Sequence, residues 1–160
     1  MLNLDLEKAK ELVGLAIAER GDDYVYPNPG QCRNVDNISY DVWDDNEEEY
    51  VASFDGATPG CLVGHALFLG GIPLSTMGAN GVNDEGSDDL LSHLRNLDLI
   101  TCDSSAMAYL ANVQSSQDSL APWGKAAEAA ARGATTYPKR DNLGNKVPGE
   151  YEEQAGLRVE

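Results

Sequence analysis

Apolar residues recur at three- and four-residue spacing near the start of the chain, at Leu6, Ala9, Val13, Ala16 and Ile17. That spacing draws one stripe along a 3.6-residue helix. Asp5 is placed to cap the helix, Glu7 to favour its positive end, and Gly21 to stop it. Residues 22–57 lose the helical period. Tyr26-Pro27-Asn28-Pro29-Gly30 is a turn cluster. ISYDVW at 38–43 alternates and YVASF at 50–54 is rich in β-formers, with the acidic run DDNEEE at 44–49 between them. The pattern predicts a hairpin with a long charged connection. Two strands alone are marginally stable unless something covers them.

Thr58-Pro59 predicts a second helix start, with Thr58 as N-cap and Pro59 at the first helical position. The segment PGCLVGHALFLG is apolar on nearly every side and ends at Gly70-Gly71, as a buried central helix would. Gly64 inside it costs about 1 kcal/mol against alanine, which suits a point where another backbone crosses closely. After the turn IPLSTMGANG, Ser87 is placed to cap a third helix, with Asp88 and Asp89 in its first turn and Leu90, Leu91 and Leu94 inside. A fourth runs from about Asp103 to Gln117 through Ala106, Met107, Leu110 and Val113. A fifth, WGKAAEAAARG, starts near Pro122, anchors on Trp123 and stops at Gly133. Beyond it the helical pattern ceases.

These segments predict an α+β fold, predominantly helical, with about five helices around the 59–70 helix and a small β-hairpin on one side. Residues 1–133 read as a single globular domain. Residues 134–160 read as an extended tail, either mobile or laid on a partner. An apolar fraction of 42% and a charged fraction of 24% are ordinary for such a domain.

The net charge of −16 changes the picture more than composition does, because of where it sits. Residues 21–60 hold ten acidic side chains and one basic, and residues 61–120 hold seven and one, whereas residues 121–160 balance six against six. A field of that sign disfavours direct nucleic-acid binding, which rests on Lys and Arg neutralising phosphates. It also disfavours anionic membranes. It leaves a solubilising surface or one that attracts something basic.

The cysteines Cys32, Cys61 and Cys102 are odd in number and irregular in spacing, which is no disulfide framework. The first 21 residues lack a signal peptide's basic start, apolar core and cleavage site. No stretch approaches the ~20 apolar residues that span a bilayer. A reducing cytosol is the expected compartment.

Cys61 and His65 stand at i and i+4, on one helix face one turn apart. With Cys32 upstream they supply three possible metal ligands, although a structural zinc site wants four and no C-x-x-C is present. Cys61 near a helix N-terminus also suits a thiolate nucleophile, with His65 or His93 as its base. The plainer reading makes Cys61 a small core residue and His65 a half-buried histidine with one hydrogen-bond partner. On that reading there is no catalytic residue, no metal and no cofactor. Cys102 stands alone. NDEGSDD at 83–89 has the acid density of a calcium loop without the EF-hand ligand order. Phosphate-loop, dinucleotide, G-x-S-x-G and H-E-x-x-H motifs are absent. Asp41, Asp44, Asp45, Glu47, Glu48 and Glu49 put six carboxylates into nine residues. They form either a solvated hairpin tip or a mimic of a phosphate backbone that fills a basic groove.

In its order of parts the chain resembles a group of small proteins of actinobacterial phages and their hosts. The resemblance rests on the first helix, YVYPNP, the cysteine at 32, PGCLVGHALFLGGIP, SDDLLSHL and the late WGKAAEAAARG, over about residues 4–133. The DDNEEE insertion and the tail depart from that pattern. No activity comes with the resemblance, which implies a phage accessory protein acting inside the infected cell. The expected function is therefore non-enzymatic: binding of a host macromolecule, such as a basic protein, or of a small signalling ligand. Two alternatives stay open. One is a hydrolase or transferase using Cys61. The other is a virion component whose tail reaches a neighbouring subunit, a route to a homo-oligomer.

Overall fold

A computed structural model of the protein describes residues 1–27 and 32–159. The later part of the 26–30 turn cluster, from Asn28 to Gly30, lies outside the described residues. In chain order the elements are β1 (Leu2–Leu4), α1 (Leu6–Arg20), β2 (Val35–Asp36), β3 (Ser39–Asp44), β4 (Glu49–Ser53), β5 (Thr58–Pro59) and α2 (Leu62–Leu69). There follow α3 (Leu74–Met77), α4 (Ser87–Asn96), β6 (Ile100–Cys102), α5 (Ser104–Asp118), α6 (Trp123–Ala131), β7 (Ala134–Arg140) and β8 (Lys146–Ala155). The α+β class stands. The expectation of a predominantly helical chain with about five helices does not, because six helices share the described residues with eight strands, at 39% helix and 25% strand.

Capping chemistry sets the helix ends. Asp5 accepts the Lys8 N–H at 2.7 Å, and Gly21 closes α1 with φ 102° and an N–H to Ile17 O. Asp103 caps α5 in the same way through the Ala106 N–H. At α4 the cap is Gly86 rather than Ser87, so the helix starts one residue earlier than expected, with Ser87 as its first helical residue. α1 packs against α2, α5 and α6, and α5 against α2, α4 and α6. Leu12, Val13, Leu62, Leu67, Leu90, Leu91, Leu94, Leu110 and Trp123 join in one buried cluster.

Among the described residues the sheets are four separate pairs. β1 and β6 run parallel, Leu2 opposite Ile100. β2 and β5 run antiparallel, Val35 opposite Pro59 and Asp36 opposite Thr58. Thr58 and Pro59 are thus strand rather than helix cap and first turn. Proline, which has no N–H to give to a ladder, fits a two-residue edge strand equally well. α2 starts later, after Cys61. β3 and β4 form the expected hairpin, but the strands reach into the acidic run, so Asp44 faces Glu49 and only residues 45–48 connect them.

The stretch read as an extended tail is largely a second hairpin. β7 pairs antiparallel with β8, Thr135 opposite Gln154 and Pro138 opposite Tyr151, with an irregularity before Arg140. It is fastened to α5 by polar groups: Ser116 Oγ accepts the Thr136 N–H at 2.9 Å, and Asn112 exchanges two 2.8 Å hydrogen bonds with the Leu157 backbone. An apolar-repeat reading had nothing to detect here.

Candidate functional site

Cys61 sits where two stretches of backbone cross. The Arg33–Asn34 segment runs against the start of α2: the Cys61 N–H donates to Arg33 O at 2.8 Å and the Gly60 N–H to Asn34 O at 3.0 Å. A Cβ on Gly64 would stand 2.5 Å from Asn34 O. Asn34 is itself buried, and its side-chain amide donates to Val82 O and Glu85 O.

The Cys61 sulfur is fully enclosed. It approaches Asn34 Oδ1 at 3.4 Å and Gln114 Oε1 at 3.9 Å, and Cys32 joins it in a small buried cluster. Burial foremost, then the Cys32 contact, pushes its pKa well above the ordinary 9.0, against a smaller lowering by the Gly64 N–H. The helix-terminus argument for a reactive thiolate is therefore outweighed here. Desolvation of the charged form dominates when no cation is near.

His65 is also buried, and it turns to α1. Its Nε2 meets Glu19 Oε2 at 2.6 Å, while Nδ1 has no hydrogen-bond partner. Burial lowers its pKa most strongly, and the Glu19 hydrogen bond opposes that. Arg20 lies alongside, donating to Tyr24 Oη at 2.8 Å and Pro59 O at 2.5 Å, with its guanidinium over the Tyr24 and Trp123 rings. Neither imidazole is among the hydrogen-bond partners of the Cys61 thiol. His93 lies half-buried on α4, and Cys102 ends β6 with its thiol on Asp103 O at 3.6 Å. Among the described residues no three His, Cys, Asp or Glu side chains are grouped to hold a metal ion, the set Cys32, Cys61 and His65 included.

The polar residues that meet Cys61 are ones the sequence reading passed over. Gln117 Oε1 accepts the Leu62 N–H at 2.6 Å at the start of α2, and the Gln114 and Gln117 amides both donate to Asp118. Burial raises the Asp118 pKa, and those two amides lower it. Gln114, Gln117 and Asp118 lie at i, i+3 and i+4, so one inward helix face is polar. That spacing was the available signal. Gln114 and Asp118 also line an open depression of about 490 Å³ with Gly86, Ser87, Asp88 and Asp89.

The acidic run is arranged quite differently. Ile38 and Phe54 pack at the base of the β3–β4 hairpin, against the α3–Gly78 turn. Above them Tyr40, Val42, Trp43 and Tyr50 are exposed, Trp43 by 51% and Tyr50 by 61%. Trp43 and Tyr50 face each other across the strands, edge to face at 5.1 Å. Asp44 Oδ1 accepts the Asn46 and Glu47 N–H groups and shapes the tip. Asp41, Asp45, Glu47, Glu48 and Glu49 are all exposed.

No helix of the described residues is long and apolar enough to cross a membrane. The chain matches no family model, no curated protein and no solved structure.

Proposed function

We propose that the protein works by binding, and that the β3–β4 hairpin is the contact surface for a basic protein partner. The observation that carries this reading is the Trp43–Tyr50 pair, half or more exposed on a hairpin that also bears six carboxylates. Aromatic side chains with few rotatable bonds are the usual anchors of protein interfaces, and their exposure to water in the free molecule is unfavourable. Asp44 stands directly opposite Glu49, a like-charge pair that weakens the hairpin. A cationic partner would relieve that repulsion, so the same side chains that cost stability in isolation favour association. Charge also sets the class of partner: arginine and lysine side chains meet the carboxylates, and apolar surface meets the rings. The resemblance in PGCLVGHALFLGGIP to small actinobacteriophage proteins makes a host protein in the infected cell's cytosol the partner we propose.

The test is capture from actinobacterial lysate at low and high salt, with wild type beside two hairpin variants. One carries Trp43→Ala and Tyr50→Ala, the other Asp44→Asn, Glu47→Gln and Glu49→Gln. Wild type is expected to retain a basic protein that salt releases, and both variants to lose it while keeping the wild-type circular dichroism. Retention of the same protein by both folded variants would overturn the reading.

A further inference from the structure

Cys32 and Cys61 stand on either side of the neck from which the β3–β4 hairpin emerges. β2 and β5 run antiparallel out of the core, Val35 opposite Pro59, and the Cys61 N–H donates back to Arg33 O. One step further inward the two thiols converge on a single acceptor, with Cys61 Sγ 3.4 Å and Cys32 Sγ 4.0 Å from Asn34 Oδ1. With Tyr26 they form a small buried cluster separate from the main core. Both thiols are reduced, and Cys32 is the more accessible, 8% exposed against 0%.

We propose that Cys32 and Cys61 are a modification site: a dithiol that closes to an intramolecular disulfide by exchange with a low-molecular-weight disulfide of the glutathione type. The Cys32 thiolate attacks one sulfur of the small disulfide. That S–S bond breaks, the first small thiol leaves with a proton, and a mixed disulfide remains on Cys32. The Cys61 thiolate then attacks the Cys32 sulfur, the mixed disulfide breaks, and the second small thiol leaves with a proton. In sum, two protein thiols and one small disulfide become one protein disulfide and two small thiols. The protein loses two hydrogens, and the small disulfide gains them. Enclosure makes the Cys61 thiolate scarce, so closure of the bridge is slow at neutral pH and quickens as pH rises. The closed form ties the two ends of the hairpin segment together and restricts the unfolded chain.

The experiment incubates the folded full-length chain with oxidised glutathione, quenches with acid, then alkylates in denaturant and maps the peptides by mass spectrometry. The expected product has lost two hydrogens, carries a peptide linked through Cys32 and Cys61, and leaves Cys102 alone to alkylate. Its melting temperature rises above that of the reduced protein and returns on reduction. Cys102→Ser forms the same bridge, and Cys32→Ser forms none, a control that does not touch the fully enclosed Cys61. Three alkylatable cysteines after prolonged exposure, or a stable glutathione adduct on Cys32 without the bridge, would overturn the proposal. So would a bridge that forms only in denaturant.

Discussion

The backbone carbonyl of Asn34 occupies the space that a side chain at Gly64 would need, 2.5 Å from the position of its Cβ. Helix propensity alone says Gly64→Ala should stabilise α2 by about 1 kcal/mol. The crossing says otherwise, because the obstructing atoms belong to backbone that is hydrogen-bonded to Gly60 and cannot turn aside as a side chain would. Overpacking of this kind costs about 1–3 kcal/mol. Gly64→Ala is expected to lower the urea midpoint, whereas Gly14→Ala, on an exposed α1 position with nothing near its Cβ, should leave it unchanged or raise it.

The two tryptophans make a second contrast. Trp123 is fully buried against Tyr24 and His65, and Trp43 is exposed on the hairpin. Trp123→Ala should cost about 3–5 kcal/mol and threaten folding. Trp43→Ala forfeits one cross-strand ring pair, worth less than about 1 kcal/mol. Chemical unfolding of both variants checks the difference. A large loss at Trp43 would mean that the hairpin is structural rather than presented to a partner.

Where apolar periodicity and caps agree, the sequence is sufficient: Asp5, Gly21 and the Ala9–Ile17 stripe define α1, and Leu90, Leu91 and Leu94 orient α4. Gly64 was legible for the same reason, since a helix-breaking residue in an otherwise ideal buried helix implies a close neighbour. The failures share another cause. Thr58-Pro59 fits a helix start and an edge strand equally well, and only its non-local partner, Val35-Asp36, decides. The Cys61 surroundings were invisible because Asn34, Gln114 and Gln117 are polar, and polarity in a short window reads as solvent exposure. They are buried because each finds its partner far along the chain.

Two pH limits follow from the buried titratable groups. His65 has a lowered pKa, caused first by burial and opposed by Glu19, with Arg20 adding to the lowering. The unfolded chain therefore takes up the proton more readily than the folded one. The stability linked to neutral His65 is complete above the ordinary value of 6.5 and is lost as pH falls below it, by at most about 1.4 kcal/mol per pH unit for one proton. Cys61 behaves in the opposite direction: its raised pKa keeps the proton in the folded state, so stability linked to it is complete below 9.0 and is lost as pH rises past it. Unfolding free energies measured across the range should fall at both ends. His65→Gln should flatten the acid limb and Cys61→Ala the alkaline one; unchanged slopes in the variants would assign the losses to other groups.

Deleting residues 134–160 tests whether the β7–β8 hairpin is part of the fold. Its strands offer few apolar side chains, yet Thr135 and Thr136 are buried and Asn112 and Ser116 on α5 hydrogen-bond to its backbone. Removing it would leave the Asn112 amide without its Leu157 partners and take away the strand β7 that packs against α6. Buried polar groups stripped of partners cost about 1–3 kcal/mol each unless water replaces them. Truncation after Gly133 is therefore expected to lower the melting temperature, with α5 amides losing hydrogen-exchange protection before those of α1. A truncated chain as stable as the full one would show that the contacts to Asn112 and Ser116 contribute nothing net, and that residues 134–160 are an appendage after all.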